Sequence, residues 1–215
     1  MIYPLIWMVM SSFKESSTIF TTAGSLIPQN PTLVNYVNGW KGFAGVSFLM
    51  FFKNSLFISI IATIGTVISS SLVAYGFARF QFKGKNLLFA AMLLSMMLPA
   101  QVLMIPQYLW YQKLGWVGSY APLIVPYFFA IQGFFVYLFS FMWRWDDFLS
   151  ALLYVSKSVQ YPVSLALKLF CDPGSSSDYG AMFAMASLSI VPSVLIFIFF
   201  QKYLVEGIST SGLKG

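Results

Sequence analysis

The sequence predicts an all-α polytopic membrane protein with six transmembrane helices, the first truncated here to its outer half. Three observations carry that prediction. Only 8% of the 215 residues are charged and 59% are hydrophobic, whereas a soluble domain carries about 25% charged residues. Segments 54–78, 86–112, 114–143 and 179–201 contain no Asp, Glu, Lys or Arg, and each is at least as long as the roughly 20 residues a spanning helix needs. The short segment 78–86 concentrates Arg79, Lys83 and Lys85 with no acid, which is the density of a cytoplasmic loop. Disorder is excluded by an aromatic content of 19%.

The elements follow in order along one transmembrane domain, 1–215. Residues 1–10 are apolar and read as the end of a first span; no basic region precedes them, so they are not a signal peptide. Residues 11–53 are polar, with Lys14, Lys41 and Lys53 thinly spread, and belong outside. The second span is 54–78. Its Ser59, Thr63, Thr66 and Ser70, continued by Ala74 and Ala78, fall on one helical face. Small and hydroxylated residues so placed suit close helix packing in lipid; a polar lining of a water-filled path is the second reading. The third span, 86–106, holds Pro99 and Pro106 flanked by Gln101 and Gln107. Proline removes a backbone donor and kinks a helix, and kinked, glutamine-bearing helices are common at transport paths; entry into a loop at Pro106 is the alternative.

Residues 121–139 and 140–156 read as two further spans, and their combined length is short. Thirty-six helical residues reach about 54 Å, against about 60 Å for two crossings. There is no turn composition near Phe139–Ser140. A segment is therefore expected to be missing at 139/140, one long bent helix being the alternative. The last span is 179–201. The tail beyond it holds Lys202 and Lys214 against Glu206 and lies inside by alternation; its glycines and serines suit an extended segment.

The most unusual stretch is Trp143-Arg144-Trp145-Asp146-Asp147-Phe148, with three charges and two indoles near membrane depth. On a helix Trp143, Asp146, Asp147 and Ser150 would share a face, and Arg144 would pair with Asp147 at i+3. Ionisable groups at such depth mark pathways, and indoles beside carboxylates suit sugars. An interfacial aromatic belt with an internally satisfied ion pair is the structural alternative. Several chemistries are absent. There is no histidine and a single cysteine, Cys171, so no metal cluster or internal disulfide is expected. Phe82-Lys83-Gly84-Lys85 lacks a phosphate-binding loop. The net charge of +6 is explained largely by loop placement, so no nucleic-acid partner is expected.

Asn54 to Leu56, Ala74 to Lys85, Met96 to Gln101, Ile105-Pro106, Leu114-Gly115, Trp143 to Phe148 and the stretch from Phe199 to Gly215 together resemble the motifs of the maltose-type carbohydrate ABC importer permeases. Asn54-Ser55-Leu56 and the run from Ala74 to Lys85 are similar to the family's second span and following loop. Met96-Met97-Leu98-Pro99-Ala100-Gln101, Ile105-Pro106 and Leu114-Gly115 are similar to its third span and outer loop. Trp143 to Phe148 resembles its W-x-W-N/D-D/E-F stretch, and Phe199 to Tyr203 through Gly207 and Gly212 to Gly215 resembles its tail. These matches span almost the whole chain in the family's order. Missing is the cytoplasmic coupling loop with the E-A-A…G…L-P pattern, which the family carries where Phe139 and Ser140 meet here.

The resemblance implies a type I ABC importer permease fold in the bacterial inner membrane, with a cytoplasmic C-terminus. It implies a homologous second permease, two ABC ATPase subunits and an extracytoplasmic sugar-binding protein as partners, besides membrane lipid. ATP and Mg would be bound by the ATPases; this chain would hold no cofactor, no metal and no catalytic residue. The substrate path is expected to use Trp143, Trp145, Asp146, Asp147 and Gln101. Contact with the ATPases is expected from Gln201, Lys202, Gly207, Lys214 and Gly215. Two other functions compete: an ion-coupled secondary transporter using Asp146 and Asp147, and a membrane scaffold subunit without transport.

Overall fold

The computed structural model describes residues 2–96, 98–129, 139–171 and 177–212. Its regular elements are helical: α1 (Tyr3–Ser11), α2 (Val34–Lys41), α3 (Phe48–Arg79), α4 (Lys85–Met96), α5 (Ala100–Lys113), α6 (Ala121–Ile124), α7 (Phe139–Trp145), α8 (Phe148–Tyr154), α9 (Val163–Leu169) and α10 (Tyr179–Gly212), with three short 3-10 turns between them. Among the described residues, α3 and the Tyr179–Gln201 part of α10 are long and apolar enough to cross a membrane. At 32 residues α3 is about 48 Å long, more than the roughly 30 Å hydrocarbon core.

The helices group into two units, one formed by residues 1–55 with 161–215 and one by residues 56–160. In the first, α10 packs against α1 and α2. Trp7 meets Phe183 edge-on with ring centroids 5.4 Å apart, and Gly39 lies so close to the Met185 side chain that a Cβ there would sit 2.7 Å from it. Asp178 opens α10 by accepting from the Ala181 amide at 3.0 Å and from the Ser16 hydroxyl at 2.5 Å; the same hydroxyl accepts from the Gly180 amide at 2.7 Å. Asn35, buried, donates to the Ser12 and Lys14 carbonyls. The buried Lys14 ammonium is held by the Thr22 and Ser25 carbonyls. At Gly42, φ is +77° and ψ −149°, and the Val46 carbonyl lies where a side chain would start, so only glycine fits.

In the second unit the predicted stripe of α3 is the packed face. Ser59, Thr66 and Ser70 are buried along with Ala62, and Gly65 brings the backbone against the Phe128 ring. Thr66 donates to the Ala62 carbonyl and Ser69 to the Tyr127 carbonyl. The hydroxyls of Ser59, Thr63 and Ser70 are buried with no hydrogen-bond partner, so burial and not polar pairing accounts for the stripe.

Several expected spans differ. The 54–78 helix starts earlier, at Phe48, and takes in Lys53. The 86–106 span is two helices: α4 stops before Leu98, and Pro99, extended at ψ 130°, begins α5. Proline disfavours helix for the residue before it, which is why the break falls there. Pro106 is inside α5, which continues to Lys113, so it neither ends the helix nor opens a loop. Of 121–139, α6 and the 3-10 turn Val125–Phe128 are seen, and residues 130–138 lie outside the described ones. The 140–156 span is not one helix; it is α7 and α8, interrupted at Asp146–Asp147 because Asp147 takes up an extended conformation and caps α8. The junction at 139/140 falls within α7, where Phe139 and Ser140 are successive helical residues. The tail is helical through Gly212 instead of extended; continuing an established helix adds a hydrogen bond per residue, which outweighs the glycine and serine propensities. Residues 213–215 lie outside the described ones.

Candidate functional site

The corner between α7 and α8 is built by one residue. Aspartate accepts from the free amides at a helix start, and Asp147 Oδ1 accepts from the Ser150 amide at 3.1 Å. The other oxygen lies 3.7 Å from an Arg144 guanidinium nitrogen, and both side chains are mostly buried, at 13% and 23% exposure. Arg144 also donates to the Tyr127 hydroxyl, and its guanidinium carbon stands 3.7 Å from the centre of that ring. A guanidinium in this position gains from both the charge pair and the ring's negative face. Arg144 Nε is buried without a hydrogen-bond partner.

These side chains line a cavity of about 570 Å³ within the second unit, walled by α5, α6, α7, α8 and the 3-10 turn after α6. Rings supply much of the wall: Tyr111, Tyr127, Trp143 and Tyr154. Tyr154 is fixed by Tyr108, stacked at 6.2 Å and 16°, and by Tyr111, edge-on at 5.4 Å. Tyr111 in turn stacks on Trp116. The Gly118 amide donates to the Tyr154 carbonyl at 2.7 Å, tying the loop after α5 to the end of α8. Gln107, Arg144, Asp147 and Ser150 are polar groups among these rings. A cavity of aromatic and aliphatic side chains with a few convergent polar groups is the form of a small-molecule site.

The expected path residues therefore separate. Trp143 and Asp147 line the cavity. Trp145 does not; it is 3% exposed and stacks on Phe141 at 5.7 Å. Asp146 is exposed and also outside the lining, because the helix break turns it away from the face it would share with Trp143 and Ser150 on a continuous helix. Gln101 is exposed in the first turn of α5 and is not in the lining, whereas Gln107, one and a half turns on, is. The Arg144–Asp147 pairing expected at i+3 is present. Sequence reasoning missed Tyr127, Tyr111 and Tyr154, whose roles depend on tertiary contact. Of the tail residues expected at the ATPases, Gln201, Lys202 and Gly207 are in α10, while Lys214 and Gly215 lie outside the described residues.

No family model matches the chain. It is similar to the probable ABC transporter permease protein YurM of Bacillus subtilis, at 30% identity across 99% of this chain and 84% of that one. The chain belongs to the ABC transporter permease family. It is also similar to the trehalose/maltose transport system permease protein MalG of Thermococcus litoralis, at 28% identity over 100% of this chain and 92% of the relative. The arabinooligosaccharides transport system permease protein AraQ of Halalkalibacterium halodurans is 27% identical over 100% and 91%. A permease fold is found again in a crystal structure of a bacterial ABC transporter involved in the import of the acidic polysaccharide alginate. That match has a TM-score of 0.75, covers 94% of this chain and 90% of that one, and has 17% identity.

As an ABC importer permease the chain is a membrane protein of the bacterial inner membrane, not an enzyme, and it works with ATPase and binding-protein partners. The alignment with YurM runs over 257 positions, though this permease has 215 residues. The relatives therefore carry internal residues with no counterpart here.

Proposed function

We propose that this permease conducts an oligosaccharide across the membrane, and that the cavity at the α7–α8 corner is part of its path. The observation that carries the reading is the lining of that cavity: four aromatic rings with Gln107, Arg144, Asp147 and Ser150 between them. Aromatic faces stack on the C–H faces of sugar rings, and amide, hydroxyl and carboxylate groups hydrogen-bond their hydroxyls. Relatives named for maltose, trehalose and arabinooligosaccharides support the substrate class.

In this reading the chain pairs with a homologous second permease, and two ATPase subunits bind ATP and Mg on the cytoplasmic side. Closure of the ATPases opens the path to a sugar-loaded binding protein, and hydrolysis resets it; the permease supplies no catalytic group. The C-terminus is cytoplasmic, with Gln201, Lys202, Gly207, Lys214 and Gly215 toward the ATPases. The coupling loop that docks on the ATPase belongs, in the working protein, at the 139/140 junction, and accounts for the residues that the relatives carry without a counterpart in this sequence.

An ion-coupled mechanism is less well supported. Asp147 is paired with Arg144 and Asp146 is exposed, which leaves no isolated carboxylate in the cavity. The test is uptake of malto-, arabino- and galacto-oligosaccharides by the complete importer in proteoliposomes. Trp143→Ala is expected to lower the rate for the accepted sugar about ten-fold, the loss of roughly one stacking contact. Uptake at the wild-type rate would remove this cavity from the path.

A further inference from the structure

We infer that the Arg144–Asp147 pair is a charge filter that selects neutral over acidic saccharides; the inference rests on the cavity being the sugar path. Two formal charges line the cavity and they cancel, Arg144 against Asp147 at 3.7 Å. The guanidinium is engaged on three sides, by the Asp147 carboxylate, the Tyr127 hydroxyl and the Tyr127 ring. Its Nε–H is buried and without a partner, so it offers an entering ligand nothing.

A carboxylate is held best by an arginine that is free to offer two parallel N–H groups and an uncompensated charge. Here the guanidinium is already engaged by Asp147 and Tyr127, whereas a neutral sugar asks for no cation. A uronate entering the cavity would have to compete with Asp147 for the guanidinium, and displacing Asp147 would leave that mostly buried carboxylate without its cation. Asp146, exposed beside the corner, adds negative charge nearby and gives an acid no compensation. Rejection through an unpaired charge is a recognised route to specificity. The alginate importer that shares this fold handles an acidic polysaccharide; the pair here points to the opposite preference.

Asp147→Asn separates the filter from the fold, since asparagine caps a helix about as well as aspartate. It removes the negative partner and frees Arg144 for a ligand carboxylate. Arg144→Gln does the reverse and leaves Asp147 uncompensated. The measurement is quenching of tryptophan fluorescence in the assembled importer, held in lipid nanodiscs, by neutral maltotriose, arabinotriose and galactotriose and by acidic trigalacturonate. Wild type is expected to prefer the best neutral trisaccharide over trigalacturonate by about ten-fold, the worth of one charge-assisted hydrogen bond. Asp147→Asn should erase or reverse that ratio, and Arg144→Gln should widen it or leave it intact.

The charge filter is overturned if wild type takes trigalacturonate as well as the neutral sugars. It is equally overturned if Asp147→Asn binds sugar with an unchanged ratio, or if Arg144→Gln shifts preference toward the acid. Should Asp147→Asn fail to assemble, the Arg144→Gln ratio decides alone. If wild type responds to neither class, or Trp143→Ala binds both classes as wild type does, the path reading fails and the filter with it. A normal Trp143 effect beside an unchanged Asp147→Asn ratio sinks the filter only.

Discussion

Replacing Asp147 by alanine tests what holds the α7–α8 corner. The side chain does two things: Oδ1 accepts the Ser150 amide, and Oδ2 faces Arg144. Loss of an N-cap acceptor costs about 1 kcal/mol. Breaking a buried ion pair from one side costs about 3–5 kcal/mol. That upper figure shrinks here, because the pair is 3.7 Å apart, Asp147 is 23% exposed and Tyr127 still holds the guanidinium; about 1–2 kcal/mol is a fair share. Asp147→Ala should then destabilise by about 2–3 kcal/mol, and Asp147→Asn, which keeps the cap, by about 1–2 kcal/mol. Thermal unfolding followed by fluorescence-detected size exclusion, at one fixed detergent and lipid composition, reads the difference. For a chain of this size about 1 kcal/mol corresponds to some 2–4 °C, so alanine should fall below asparagine by a few degrees. Equal losses for the two variants would show that the cap contributes nothing and that the break has another cause. No loss for either would show that the corner is held without Asp147.

Two other predictions concern the first unit. Gly42→Ala forces a side chain into a conformation reserved for glycine and onto the Val46 carbonyl, 1.9 Å from the new Cβ; a cost above about 3 kcal/mol is expected, read as loss of the assembled permease from the monodisperse peak, and wild-type yield and melting would refute the geometry. Burial raises the Cys171 thiol above its ordinary value. A raised value means less thiolate at a given pH, so maleimide labelling of Cys171 should run slower than that of glutathione at pH 7.5 and climb over a more alkaline range; faster labelling at pH 7.5 would contradict the burial.

How far the sequence reveals this protein depends on how local each determinant is. The charge-free runs locate α3 and α10, because a helix in lipid must satisfy its own backbone and needs apolar length. The hydroxyl stripe from Ser59 to Ser70 identifies the buried face of α3, since helical spacing alone puts those residues together. The helix break at Asp146–Asp147 was legible too: an aspartate followed by Phe148-Leu149-Ser150 is a helix-start signal, but the length of the apolar run overrode it. A continuous helix would put Trp143, Asp146, Asp147 and Ser150 on one face; with the break, Asp146 lies outside the lining that the other three share. Tyr127 could not be read at all. It comes from a 3-10 turn, seventeen residues before the Arg144 it contacts, and no spacing rule connects them.

The division of the chain has a consequence for its synthesis. Residues 56–160 are contiguous, whereas the other unit joins residues 1–55 to 161–215. Chains emerge from the ribosome N-terminus first, at about 5–20 residues per second. The contiguous unit has all its residues once position 160 is out, and its contacts span short loops that close quickly. The discontinuous unit must wait. Trp7 has no Phe183 to meet, Ser16 no Asp178 and Asn38's neighbour Gly39 no Met185 until the last quarter of the chain arrives. During that interval the apolar faces of α1 and α2 are without their partner α10. At the rate given above the delay is several seconds, a window in which insertion machinery or a chaperone has to shield them, and in which a truncated product would be left with only the contiguous unit complete.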